Sequence, residues 1–339
     1  MPSSRSRPCP VPSTMPWPRS ALLAAALLAA AGPVRAQRLD SLVVRLADMS
    51  AVSGLEDAMA ESLLAAVPGA VLDRAGNVVA VRGSGDPVRV ALCPMDEMGY
   101  VVGSIAPDGY LTLRRVGLTP MGPLYDQFLE GQRVTVFGRR GPVPGVVGVR
   151  SVHLSRGRPA AAEEPFSLDN AWVDVGASSA AGVEALGIAI LAPVTRAKRA
   201  HRYGQDLVAA PDVAGRAACA ALLDAWRAAP ASVGRGTAVA AFTRRRQFRW
   251  DGATFLLREN AAGAAPGDVI VLGESQGPDS LGQGAVIARR DSLAAAGGWM
   301  GVTSWSLPAR YVRTPVETVS LADVAALARR LIAFFGGAP

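Results

Sequence analysis

An α/β fold, in which a helix–sheet–helix domain carries a small inserted β-barrel-like domain, is what this 339-residue sequence predicts. Three observations lead there. Helical and strand periodicities alternate over residues 37–104, give way to short strands and turns over 105–199, and alternate again over 200–339. Half of the residues are hydrophobic and only 6% are aromatic, which suits a core of Ala, Val and Leu. A chain of this length can bury a large core.

Residues 1–36 read as a signal peptide. The stretch "PRSALLAAALLAAAGPVRAQ" has a basic start ending at Arg19, an apolar run from Ala21 to Ala31, and a small residue at Ala36. The run is too short to span a bilayer as a mature helix. The expectation is therefore cleavage before Gln37, a secreted or periplasmic product, and no membrane contact afterwards. Met15 lies just upstream of the pattern, so Met1 and Met15 are both possible starts. No cysteine follows the apolar run, which disfavours a lipoprotein signal. Cys93 and Cys219 remain in apolar surroundings, where two buried thiols are expected rather than a disulfide.

The mature part opens with two amphipathic helices. "RLDSLVVRLADMS" places Leu39, Leu42, Val43 and Leu46 on one face, and "EDAMAESLLAAVPG" stops at Pro68-Gly69. "AVLDRAGNVVAVRG" predicts a hairpin about Ala75-Gly76-Asn77, and "VRVALC" a buried strand. In the middle region, "YLTLRRVG", "QRVTVFGRRGPVPGVVGVR", "AWVDVGA" and "AILAPV" read as short strands, with one helix at "SAAGVEALG". Gly141-Pro142 and Pro144-Gly145 are expected to mark turns. Helix and strand then alternate through "DVAGRAACAALLDAWRAA", "GTAVAAFTRR" and "DVIVLG". The closing helix, "SLADVAALARRLIAFF", has Ser320 and Asp323 spaced as a capping box and a stripe of Val324, Leu327, Leu331 and Phe334.

The net charge of +7 and a pI near 10.0 raise the possibility of a nucleic-acid partner. The distribution argues against it. Removing residues 1–36 removes four arginines and no acidic residue, which leaves +3. Lys198 is the only lysine, and the densest basic cluster, "TRRRQFRW", is short. An arginine-rich composition accounts for the charge, so no nucleic-acid partner is expected.

The segments "SAVSGLED", "DRAGNVVAVRG", "MDEMGYVV", "GQRVTVFGRRGPVPGVVG", "VDVGASS" and "PVETVSLADVAALARRLIAFF" together resemble the glutamyl-aminopeptidase or tetrahedral-aminopeptidase family of two-metal exopeptidases. The resemblance runs in order from about Arg38 to the C-terminus. It implies an aminopeptidase-like domain over 37–104 and 200–339, an inserted β domain over 105–199, and assembly into oligomers. It also implies five ligands for two divalent ions, which polarise a peptide carbonyl and activate a bridging water, and one glutamate base.

Matched residue by residue, those positions carry other chemistry here. The family's first histidine ligand falls on Pro94, two residues before a retained Asp96. Its Asp-Asp pair falls on Pro211 and a retained Asp212. Its Glu-Glu pair, base then ligand, falls on Arg246 and Gln247. The next aspartate falls on Gly273 and the last histidine on Arg313. The interval Ala288–Gly301 reads as a short linker where the family has a helix, a strand and a substrate loop. No bound cofactor or metal is expected.

No replacement site is evident in the sequence. The only histidines are His153 and His201, better read as surface or satisfied residues than as a zinc pair. Ser275 in "GESQG" resembles a nucleophile elbow, but no histidine is placed to act as its base. Asp96 and Glu97 are adjacent and should point to opposite faces, with Glu97 solvated or paired. Arg313 is expected near Asp96 and Arg246 near Asp212, in part replacing the charge of the cations. Two functions follow. One is a secreted, catalytically inactive homologue kept for binding a peptide or anionic ligand, or for assembly with itself or an active relative. The other is an active aminopeptidase-type hydrolase with a rebuilt site.

Overall fold

The computed structural model describes residues 37–119, 125–148, 166–231, 235–261, 264, 268–276, 281–290 and 302–337. The chain divides into two units, Met1–Arg38 and Leu39–Pro339. The fold set out below is that of the second. The expected signal segment and His153 lie outside the described residues.

A seven-stranded sheet forms the centre, in the order β1 (Ala70–Leu72), β2 (Val78–Ser84), β12 (Gly236–Thr243), β3 (Val88–Pro94), β13 (Val269–Gln276), β15 (Val302–Ala309), β14 (Ile287–Arg290). Strands β12, β3, β13 and β15 are parallel, while β2 and β14 run against their neighbours. Alternation along β3 explains why both faces must be covered. Ala91 and Cys93 point into one apolar cluster, Val90 and Leu92 into another. The first cluster is closed by α1 (residues 37–48), α2 (Asp57–Ala66), α4 (Val213–Ala228) and α6 (Leu321–Gly336). The second is closed by α5 (Asp251–Asn260), through Leu256 and Leu257.

The expected hairpin joins β1 to β2, with Gly76 at φ +80° supplying a turn conformation that side chains disfavour. Helix α5 was not expected; it follows directly on the arginine-rich stretch that ends at Trp250. Ser320 does cap α6, accepting from the Ala322 amide. Asp323 does not complete a capping box. Its carboxylate instead accepts from the amides of Gly282, Gly284 and Ala285, fixing the turn before β14. The expected stripe holds with Phe335 as its last fully buried ring in place of Phe334. Ala288 to Arg290 belong to β14 and are not linker; residues 291–301 lie outside the described residues.

Six strands close a barrel in the order β4 (Tyr100–Ile105), β5 (Leu111–Arg115), β8 (Val173–Asp174), β7 (Gly141–Val147), β6 (Arg133–Gly138), β9 (Pro193–Arg196). Its interior is packed with Val102, Leu111, Leu113, Val134, Val136, Val173 and Val194. Strand β4 begins at Tyr100, ahead of the boundary expected at Ile105. The turn between β6 and β7 is Arg139-Arg140, not the Gly-Pro pairs. Pro142 and Pro144 lie within β7, opposite Phe137 and Thr135, and beyond them β8 pairs only with Val146 and Val147. Missing N–H groups are tolerated there because no described strand needs them. The expected helix α3 (Ala180–Ala185) is present, capped by Ser179. A small sheet of β10 (His201–Tyr203), β11 (Leu207–Ala209) and β16 (Thr318–Ser320) accompanies α4 and α6.

Candidate functional site

The loops leaving β3, β12 and β13 emerge at one edge of the sheet, where parallel α/β sheets place their ligand crevices. A cavity of about 200 Å³ lies there. Its lining includes Met98, Asp212, Arg246, Gln247, Trp250, Gly273, Glu274, Ser306 and Arg313. Four of the positions matched to family site residues, Arg246, Gln247, Gly273 and Arg313, therefore meet in one place with the retained Asp212. Beneath it is a smaller polar cavity, lined by Asp96, Asp212, Arg216, Arg246, Glu274 and Glu317 among others. A third small cavity is lined by Glu97, Arg196, Lys198, Pro211 and Asp212, among others. Asp212 borders all three.

The floor is set by the loop after β3. The amide of Met95 donates to the carbonyl of Thr243, continuing the β3–β12 pairing into Pro94-Met95-Asp96. Asp96 is buried; its Oδ2 accepts from the Ser53 hydroxyl at 2.6 Å and the Gln247 amide at 3.2 Å, and its Oδ1 has no partner. Gln247 is held close by Gly117, at φ +103°, where a Cβ would stand 2.6 Å from the Gln247 Cβ. Glu97 turns the other way, as the extended-chain argument predicts, but it is not solvated. It pairs with the ammonium of Lys198 and lies 3.5 Å from Arg216, while the Ala51 amide donates to its Oε1 at 2.7 Å.

The two neighbours differ in electrostatics. Burial alone would raise Glu97, yet the Lys198 and Arg216 charges outweigh it and hold the carboxyl below the usual range. Burial raises Asp96, and the opposing Arg246 charge, the Ser53 bond and the Gln247 amide only partly offset this. Asp212 is also raised, by burial and then by Glu97, against Lys198, Arg196 and Arg246. Glu317 accepts from the Ala214 and Arg313 amides, yet burial and the charges of Asp212 and Glu274 push it up to about 8.

Arg246 and Arg313 do not make the expected pairs. Arg246 lies 3.3 Å from Glu274 on β13, and Asp96, Asp212 and Glu317 act on it only through longer-range attraction. Arg313 extends into the cavity lining, and no hydrogen bond or ion pair of its guanidinium is found among the described residues. The two arginines before Arg246 are paired as well. Arg244 binds Glu56 and Asp57, and Arg245 binds Asp251.

Cys93 and Cys219 form a disulfide, contrary to the expectation of two free thiols. It joins the end of β3 to α4, directly behind Pro94. Reading it from sequence would have required knowing that α4 packs on β3. Ser275 lies within β13 rather than on a strand-to-helix turn. His201 is exposed and stacks on Tyr203 at 5.9 Å. Glu274 and Glu317 were missed, although each lies beside a residue already singled out, Gly273 and the "RTPVE" stretch.

The backbone carries a further signal. Six non-glycine residues at these loops have positive φ: Asp212, Arg245, Arg249, Trp250, Tyr311 and Arg313. Only Leu191, in the barrel, shares that property among the described residues. Such conformations are costly and cluster at binding and catalytic sites.

Two divalent ions do not fit this donor set. Pro94, Pro211 and Gly273 offer no side-chain donor, and Arg246 and Arg313 present cations. Gln247 is the single neutral donor of the six. The Arg246 guanidinium takes up the attraction of Glu274, Asp96 and Asp212.

The sequence pattern of the M42 glutamyl aminopeptidase family matches residues 76–300. SgcX of Escherichia coli (strain K12), provisionally described as an aminopeptidase, is 35% identical over 181 residues, 51% of this chain and 47% of SgcX. The lysyl aminopeptidase of Pyrococcus furiosus is 31% identical over 175 residues, 51% of this chain and 49% of that one. The chain thus aligns with about half the length of these curated relatives. Aminopeptidase APDkam598 of the archaeon Desulfurococcus kamchatkensis superposes with a TM-score of 0.73 at 21% identity, over 89% of this chain and 96% of that one. The Pyrococcus horikoshii TET1 peptidase, which can assemble into a tetrahedron or a large octahedral shell, gives 0.72 at 20% identity, over 86% and 97%. Both superpositions bear out the α/β fold with its inserted barrel. With its pattern matched across most of the chain, the protein belongs to the M42 glutamyl aminopeptidase family.

Proposed function

We propose that this protein is an exported M42-family homologue that no longer hydrolyses peptides and uses the former active-site cavity for binding. The observation that carries this reading is Arg246. It stands where the family places its base, is paired with Glu274, and is drawn electrostatically toward Asp96 and Asp212. A permanent cation there can neither accept a proton nor share the space with divalent ions. Export is supported by the signal-like residues 1–36 and by the buried Cys93–Cys219 disulfide, since such bonds persist in oxidising compartments. Intact mass of the exported product should correspond to a chain beginning at Gln37.

Assembly of the Pyrococcus horikoshii relative supports a homo-oligomer here, at least a dimer. Light scattering should give a mass above that of one chain; a strict monomer at micromolar concentration would count against it.

An active hydrolase with a rebuilt site is the second reading. It draws on Glu317, whose carboxyl holds its proton to about pH 8 and could act as a general acid. A single assay separates the two. Purified protein is incubated with a panel of aminoacyl p-nitroanilides and short peptides, with and without added zinc, cobalt or manganese. No release of N-terminal residues is expected. Turnover that is lost in Glu317→Gln would establish the second reading.

A further inference from the structure

We infer that the cavity binds a zwitterion, a free α-amino acid with an apolar side chain, its ammonium group on Asp212 and its carboxylate on Arg313. This rests on the reading of the cavity as a binding site and names the ligand class it takes.

Two side chains of opposite charge line the same cavity without a partner. Asp212 is half-buried, and among the described residues its carboxylate makes no hydrogen bond or ion pair. Arg313 is exposed, and its guanidinium likewise makes no hydrogen bond or ion pair among the described residues. Both residues are held at positive φ, 53° and 65°, so each pays a conformational cost to stand where it does. The other charges at this cavity, Arg246 and Glu274, pair with one another at 3.3 Å, with Nε of Arg246 left without a partner. Among the described residues this leaves one carboxylate and one guanidinium with no ion pair, which a simple anion or a simple amine would leave half-matched. A zwitterion matches both, through charge-assisted hydrogen bonds.

The rest of the lining fits the rest of such a molecule. Met98, Trp250, Val271 and Leu272 provide apolar surface for a side chain, and Ser306 a hydroxyl. A cavity of about 200 Å³ takes a single amino acid or a very short peptide, not a folded partner. Burial also raises the Asp212 carboxyl, with Glu97 adding to the effect, so an incoming ammonium would relieve an unfavourable charge.

The test is calorimetric titration of the purified full chain with leucine, N-acetylleucine and leucinamide. N-acetylleucine lacks the ammonium, and leucinamide lacks the carboxylate. Leucine should bind, and each analogue should bind about tenfold more weakly or worse. In Arg313→Gln, leucine should fall to the level of leucinamide. In Asp212→Asn, which keeps a residue tolerant of positive φ, it should fall to that of N-acetylleucine. Equal binding of the three ligands to the wild-type protein, or no heat with any of them at millimolar concentration, would overturn the inference without either variant. Ammonia released from leucinamide would instead show an active hydrolase, so failure of the underlying reading is seen separately.

Discussion

Asp96 and Glu97 are adjacent, both buried, and belong to two differently built regions. On the Glu97 side, toward the barrel, two cations and a backbone amide answer one carboxylate. On the Asp96 side, under the cavity, four carboxylates (Asp96, Asp212, Glu274 and Glu317) gather round Arg246, and one oxygen of Asp96 is left without a partner. The first region is a closed set of ion pairs, and the second is the cavity we propose as a binding site. The same distinction appears in the backbone, since the strained residues crowd the cavity loops while the Glu97 surroundings carry one only at Asp212.

The largest effect should come from the closed region. Glu97→Ala leaves Lys198 and Arg216 buried without their carboxylate and should cost about 3–5 kcal/mol in urea unfolding. A loss below about 1 kcal/mol would mean that water reaches this region and that the contrast with Asp96 is false.

Next comes the disulfide, which closes a sequence separation of 126 residues between β3 and α4. Cys93→Ala combined with Cys219→Ala should lower stability by about 2–5 kcal/mol. Adding dithiothreitol should lower the wild-type midpoint in the same sense and leave the double variant unchanged. An insensitive wild type would remove the covalent part of the description.

A pH effect follows from Glu317, whose carboxyl is raised to about 8 in the fold. A raised acid favours the folded state fully below its ordinary pKa, and that advantage disappears as pH climbs through the folded value. Wild-type stability should therefore fall by about 3 kcal/mol relative to Glu317→Gln between pH 5 and pH 8. Parallel profiles would show that Glu317 is ionised throughout.

The smallest effect is expected at Asp96. Asp96→Asn removes a charge that burial disfavours while keeping an oxygen for Ser53 and the Gln247 amide. The change should stay within about 1 kcal/mol of wild type. A cost comparable to that of Glu97→Ala would make the two sides of the loop alike.

Much of the framework was legible in the sequence because it follows from local period. "VRVALC" reads as a strand buried on both faces, and Val324, Leu327 and Leu331 repeat at helical spacing. The meeting of Arg246, Gln247, Gly273 and Arg313 was legible only through the family resemblance. The partners were not legible. Arg246 reaches Glu274 because β3 lies between β12 and β13, an order that no local pattern contains. The disulfide needs α4 seated on β3, and Asp323 binds a turn 38–41 residues earlier in the chain. Helix α5 escaped notice because its apolar face is short, Ala253, Leu256 and Leu257, within one ten-residue helix.

The most direct measurement is metal stoichiometry. Purified protein is equilibrated with zinc, cobalt or manganese, dialysed against metal-free buffer, and analysed for its elements. With Arg246 drawn to Glu274, Asp96 and Asp212, and no side-chain donor at Pro94, Pro211 or Gly273, retention should be far below one ion per chain. Two ions per chain, lost when Asp96 and Asp212 are both changed to asparagine, would contradict the account.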